Sequence, residues 1–138
     1  MSIPLLFLGC NIYEKKKKLI YKNAYLKNVN FENQNLKQAN FSSANLQNAN
    51  FSSANMDESI FVKSDLQNAN LFKVSAKHAN FKEANLENAD LSNGDFSYAY
   101  FEKATLSRVK AVNAKFKGSS GLSDETISNL KNSGASFE

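Results

Sequence analysis

Glu58, His78 and Tyr98 follow one another at intervals of twenty residues. A fold that stacked every twentieth residue would align a carboxylate, an imidazole and a phenol, the groups from which a proton relay is built. His78 is the only histidine and Cys10 the only cysteine among 138 residues. That supply excludes a Cys/His metal centre and a disulfide framework, and it leaves little for acid–base chemistry elsewhere. No phosphate-loop, dinucleotide-binding, zinc or calcium-loop pattern occurs, so no cofactor and no metal is expected. The run Lys15–Lys18 has the charge to touch phosphates or anionic lipid, but it lacks interleaved aromatics and fits a solvated edge.

Such residues act together only if the backbone returns to the same place every twenty residues. Twenty asparagines and eleven phenylalanines are not an ordinary globular composition and point to a repeat. Set in fives from Leu19 to Phe116, the chain keeps one register without an insertion. Seventeen of the nineteen centre residues from Leu26 onward are Leu, Phe or Met, and fifteen of the nineteen residues two places earlier are small. A period of five suits neither an amphipathic helix nor a flat strand. It suits a solenoid that turns a corner in every repeat, with centres inward and small residues letting the backbone close around them.

Steps of twenty sort the centres into pure ladders, Leu26, Leu46, Leu66, Leu86 and Leu106 beside Tyr21, Phe41, Phe61, Phe81 and Phe101. Steps of fifteen mix the types, so the coil has four sides. The two alanine centres, Ala76 and Ala111, are preceded by Val74 and Val109 in the otherwise small column, the volume exchange a close-packed core requires. Asparagines such as Asn40, Asn45 and Asn80 precede the centres. Asn tolerates corner conformations and bonds backbone amides at turns, which gives these residues a structural role.

Runs such as Ala39-Asn40-Phe41-Ser42-Ser43 and Ala84-Asn85-Leu86-Glu87-Asn88 resemble the motif of the pentapeptide-repeat family. The resemblance covers about residues 19–117 and implies an all-β solenoid, a right-handed quadrilateral parallel β-helix, here of about five coils. Three regions are expected: 1–18 as an N-terminal apolar and basic lead or cap, 19–117 as the β-helix, and 118–138 as a helical cap with a final strand fragment. In the last, Ser123 reads as an N-cap, Leu122 and Ile127 as a hydrophobic staple and Gly134 as a stop. Ala135-Ser136-Phe137 then repeats the small-x-aromatic pattern.

The first ten residues are apolar but too short to span a bilayer. Leu8-Gly9-Cys10 resembles the tail of a bacterial lipoprotein signal, yet no positive charge precedes it. The expectation is therefore a terminal cap and a cytoplasmic protein, with lipid anchoring at Cys10 as the alternative if the segment is a truncated signal.

The family resemblance also implies a function class, since some members bind DNA gyrase by imitating DNA. Mimicry needs an acidic rod, whereas residues 19–117 carry 12 basic and 9 acidic side chains, and Lys63, Lys73, Lys77, Lys82 and Lys103 interrupt each acidic stripe. The favoured reading is a non-catalytic protein–protein interaction scaffold, not an enzyme, with an unidentified protein partner and no small-molecule substrate. Nucleic acid is not expected as a partner, nor is a membrane unless Cys10 is lipidated, and an oligomer is left open. On the side of the aromatic ladder, Ile60, Val62 and Tyr100 stand where the repeat places polar residues, with Tyr98 just before the adjoining corner. These four are the candidate partner-binding residues; Phe72 stands alone on the opposite side.

Overall fold

The computed structural model describes residues 17–138. Cys10 and the rest of the N-terminal segment through Lys16 lie outside them. From Ile20 to Ser120 the residue before each centre pairs in parallel with the residue twenty positions on, Ile20 with Asn40, Tyr25 with Asn45, and so to Tyr100 with Ser120. A pairing offset of twenty with one bridge per pentad is a four-sided coil. We name its sides by their centres: the aromatic side (Tyr21 to Phe101), the leucine side (Leu26 to Leu106), the third side (Phe31, Phe51, Leu71, Leu91, Ala111) and the fourth side (Leu36, Met56, Ala76, Phe96, Phe116).

Every N–H of a regular pentad has an acceptor. In the pentad 41–45, Phe41 donates to the Ile60 carbonyl at 2.7 Å, Ser43 to Val62 at 2.8 Å, Ala44 back to Phe41 at 3.0 Å and Asn45 down to Ala24 at 2.9 Å. The fifth, the N–H of Ser42, faces outward, and the Asn40 side chain accepts it at 2.9 Å. The asparagine before the centre is thus an acceptor, as its expected role in bonding turn amides requires. It is not the corner residue. Positive φ falls instead on the second residue after each centre, at nineteen positions from Asn23 to Asn113 with φ between 56° and 64°. The reason is the turn: the centre carbonyl accepts from the residue three places on, and a turn of type II needs φ > 0 at its second corner.

Inside, like residues stack. Along the aromatic side Phe41, Phe61, Phe81 and Phe101 lie 4.9–5.1 Å apart with planes within 8° of parallel, while Phe41 and Phe51 of facing sides meet edge-on at 5.7 Å and 90°. Offset stacks along the rod and T-shaped contacts across it are the two arrangements that ring quadrupoles favour. The Val-for-Ala exchange holds, with Ala76, Ala111 and Val74 buried and Val109 half-buried against the same core.

The coil ends where its sixth aromatic centre would be. Ser120 still pairs with Tyr100, but the next centre is Gly121, with φ 82° and a position where any β-carbon would lie 2.4 Å from the Glu102 nitrogen. The chain leaves the wall there and forms helix α1 (Asp124–Asn132). The Ser123 side chain accepts the Thr126 N–H, acids fill the first turn and Leu130 is buried. The Gly134 N–H donates to Lys131 and that of Ala135 to Leu130, a Schellman stop with Gly134 at φ 98°. The coil then resumes for one side: Ser136 pairs with Lys115 and Phe137 stacks on Phe116 at 5.4 Å. Helix α1 and its flanking residues therefore take the place of three sides of a sixth coil and close the end of the core.

Candidate interaction surface

The column that suggested proton transfer is the corner between the fourth and aromatic sides, so its residues occupy left-handed positions. Gln38 donates to Glu58 at 2.7 Å and Lys37 pairs with Glu58 at 3.1 Å. Those two neighbours, the Gln38 hydrogen bond first, hold the Glu58 carboxyl below its usual value. His78 turns the other way and stacks on Tyr98 at 5.1 Å and 10°. No hydrogen bond joins Glu58 to His78 among the described residues, and all three groups of the column are exposed. The sequence spacing stacks them, but the relay is not assembled. Among the described residues no group of three or more His, Cys, Asp or Glu could hold a metal ion, and no helix is long and apolar enough to cross a membrane.

Ile60, Val62 and Tyr100 share the aromatic side and are each half-buried. Tyr98 is 51% exposed, but its ring is flanked along the rod. His78 stacks on it, and a β-carbon at Gly118 would lie 2.5 Å from it. What Tyr98 offers is an edge, not a face. The Tyr100 hydroxyl donates to Glu102, which also pairs with Lys82 at 3.1 Å. That triad is reflected in all three titrations. The Tyr100 bond and then Lys82 lower the Glu102 carboxyl, while bonding to Glu102 raises both Tyr100 and Lys82. Lys63 pairs with Glu83 at 3.8 Å, so the charges beside the apolar residues are already neutralised within the rod.

Sequence reasoning missed the backbone consequence of the departure at position 60. With isoleucine in place of the asparagine acceptor, the Val62 N–H has no hydrogen-bond acceptor among the described residues. In the three coils from Phe41 to Tyr100 it is the only N–H of its column so left. At Ser75, which also departs from asparagine, Asp57 of the preceding coil takes over and accepts from Lys77 at 2.9 Å and from the Ser75 hydroxyl at 2.6 Å. The signal was present in the asparagine column, as a gap with no acidic residue one coil away to fill it.

Residues 24–61, 49–88 and 84–120 match the pattern described as pentapeptide repeats, in eight copies. The chain belongs to the pentapeptide-repeat family. Its coil is the right-handed quadrilateral β-helix of that family. Among solved structures it is similar to a pentapeptide-repeat protein of the Arabidopsis thaliana thylakoid lumen, with 22% identity, a TM-score of 0.56 and 83% of this chain and 81% of the other covered. A pentapeptide-repeat protein of Nostoc PCC 7120 matches at 21% identity and a TM-score of 0.50, with coverage of 88% and 86%. QnrB1, a plasmid-mediated fluoroquinolone resistance protein, matches in one trypsin-treated variant at 18% identity and 0.40 over 86% of this chain and 70% of that one. At these identities the likeness is one of fold, and the last carries no functional argument. A comparison with curated proteins found no match.

Proposed function

We propose that this repeat rod is a non-catalytic scaffold that binds a protein partner on its aromatic side, at Ile60, Val62 and Tyr100, with the edge of Tyr98 at the rim. One observation carries the reading. At Ile60 the repeat gives up its own acceptor in mid-rod, leaving two outward aliphatic side chains and a free N–H at Val62 on one flat side. Apolar groups with an unpaired backbone donor among them are what a partner chain can cover and satisfy. The anchored Tyr100 adds a ring already fixed by its bond to Glu102, so little entropy is lost when it is buried. Five coils at roughly 4.8 Å give a rod about 24 Å long, rigid enough to hold these groups in fixed register.

The test is affinity capture with the full chain as bait, together with a gyrase supercoiling assay. The expected result is a retained protein that survives moderate salt, since the contact is mainly apolar, and supercoiling unchanged by submicromolar rod. Potent inhibition of gyrase at such concentrations would overturn the scaffold reading in favour of a DNA mimic.

A further inference from the structure

The third side, opposite the aromatic one, departs from the repeat at Phe72 and, two coils on, at Lys110 and Val112. Its column before the centres runs Asn30, Asn50, Asn70, Asp90, Lys110, and its column after them runs Glu32, Ser52, Phe72, Ser92, Val112. Asp90 and Lys110 are bridge partners, one directly above the other. Even so, they make no ion pair within 4.0 Å among the described residues. The Asp90 carboxylate accepts the Ser92 N–H at 2.9 Å, and Lys110 is exposed. Val112 is 54% exposed, whereas Ser92, between it and Phe72, is only 8% exposed. Phe72, expected to stand alone, thus lies one coil from the covered Ser92 and two coils from the exposed Val112.

We infer that this side is a self-complementary surface on which a second copy of the chain docks with its rod antiparallel. Consider a two-fold axis that lies in the interface along the strand direction, midway between the Asp90 and Lys110 coils. It keeps position along the side and exchanges the two coils. Asp90 of one copy then faces Lys110 of the other, and Lys110 faces Asp90. Val112 faces the Ser92 position, beside Phe72 of the opposite copy. One operation pairs both charges and brings Val112 near Phe72, as a self-complementary isologous contact requires. A two-fold along the rod axis, which would align the rods parallel, would instead set Lys110 against Val112 and Asp90 against Ser92, leaving both charges without a partner.

The inference does not rest on the partner site proposed above. It leaves both aromatic sides facing outward, so a dimer would present that site twice and raise avidity for a bivalent partner. The patch spans only two or three coils, at the small end of specific interfaces, so the dimer is weak, with a dissociation constant on the order of 0.1–1 mM.

Sedimentation equilibrium of the full chain from micromolar to millimolar concentration at low salt tests it. The weight-average mass should climb toward that of a dimer. Lys110→Asn and Val112→Asn should each weaken association by about tenfold or more. Because Lys110→Asn restores an acceptor for the Val112 N–H, its melting temperature should not fall, which separates lost docking from lost folding. Asp90→Lys and Lys110→Asp should each stay monomeric alone and form a heterodimer when mixed. A mass that remains monomeric at millimolar wild-type protein, or a dimer undiminished in both Lys110→Asn and Val112→Asn, would overturn the inference.

Discussion

Gly94 is the only glycine in the column of small residues, and the packing shows why. A β-carbon there would lie 2.6 Å from Phe96 Cε2 and 3.0 Å from the Leu91 carbonyl, with Phe96 itself fully buried. Gly94→Ala must therefore move a packed ring or the wall. Overpacking of this kind costs about 1–3 kcal/mol. The backbone of Gly94 is not left-handed, so alanine is conformationally allowed and regains about 0.4–1 kcal/mol through the unfolded state. The net loss is roughly 1–2 kcal/mol, or about 3–10 °C in melting temperature for a chain of this size. Thermal denaturation followed by circular dichroism reads it. The cause is checked by a cycle with Phe96→Leu, which removes the ring that collides. In the double variant the alanine should cost about 1 kcal/mol less than it does alone. An unchanged or raised melting temperature in Gly94→Ala, or strict additivity in the cycle, would refute the packing argument.

Two further predictions concern the core and the surface charges. Phe61→Asp puts a carboxylate between Phe41 and Phe81, whose rings lie 4.9 Å and 5.1 Å from that of Phe61, and should abolish the cooperative melting transition. A transition retained near the wild-type temperature would mean the centres do not point inward. The carboxyls of Glu58, Glu102 and Asp95 are depressed in the folded chain, so the stability they contribute is present above the ordinary carboxylate range and is lost as pH falls through their folded values. Lys82 is raised, so its contribution is present below the ordinary lysine value and is lost as pH climbs past it. Melting temperature should be level from about pH 6 to 8 and decline below about pH 4.5. Glu102→Gln should blunt the acid limb, and an acid limb of unchanged size would contradict the assignment.

The path of the chain was legible because side-chain volume repeats with it. Leu and Phe ladders at steps of twenty reported four sides, and Val74 with Ala76 reported close packing. Which residue turns the corner was not legible. The left-handed column holds Glu58, Lys63, His78 and Tyr98 as well as asparagines, and hydropathy does not record φ. The asparagines that do form a regular column serve as acceptors, and only a count of N–H groups reveals that. The same count exposes Val62, whose apolar side chain was visible in the sequence while its unpaired amide was not. At the corner column the spacing correctly stacked Glu58, His78 and Tyr98. It could not foresee that Lys37 and Gln38 would claim the carboxylate and that the imidazole would pair with a ring instead. The last strand was readable from Ala135-Ser136-Phe137. Its return depends on the span of helix α1, which brings Ser136 back 21 residues after Lys115, where one coil takes twenty.

The claim that the aromatic side holds the partner is tested most directly by replacing Ile60→Asn, Val62→Ser and Tyr100→Asn together and measuring the affinity of the captured partner by calorimetry. The replacements restore the repeat's own residue types, and the asparagine introduced at position 60 supplies the acceptor that the position 62 amide lacks, so melting should be unchanged or slightly raised. The account predicts a folded rod whose partner affinity falls by at least tenfold, about 1.4 kcal/mol. A folded variant that binds its partner at full affinity would contradict it and move the binding face elsewhere on the rod.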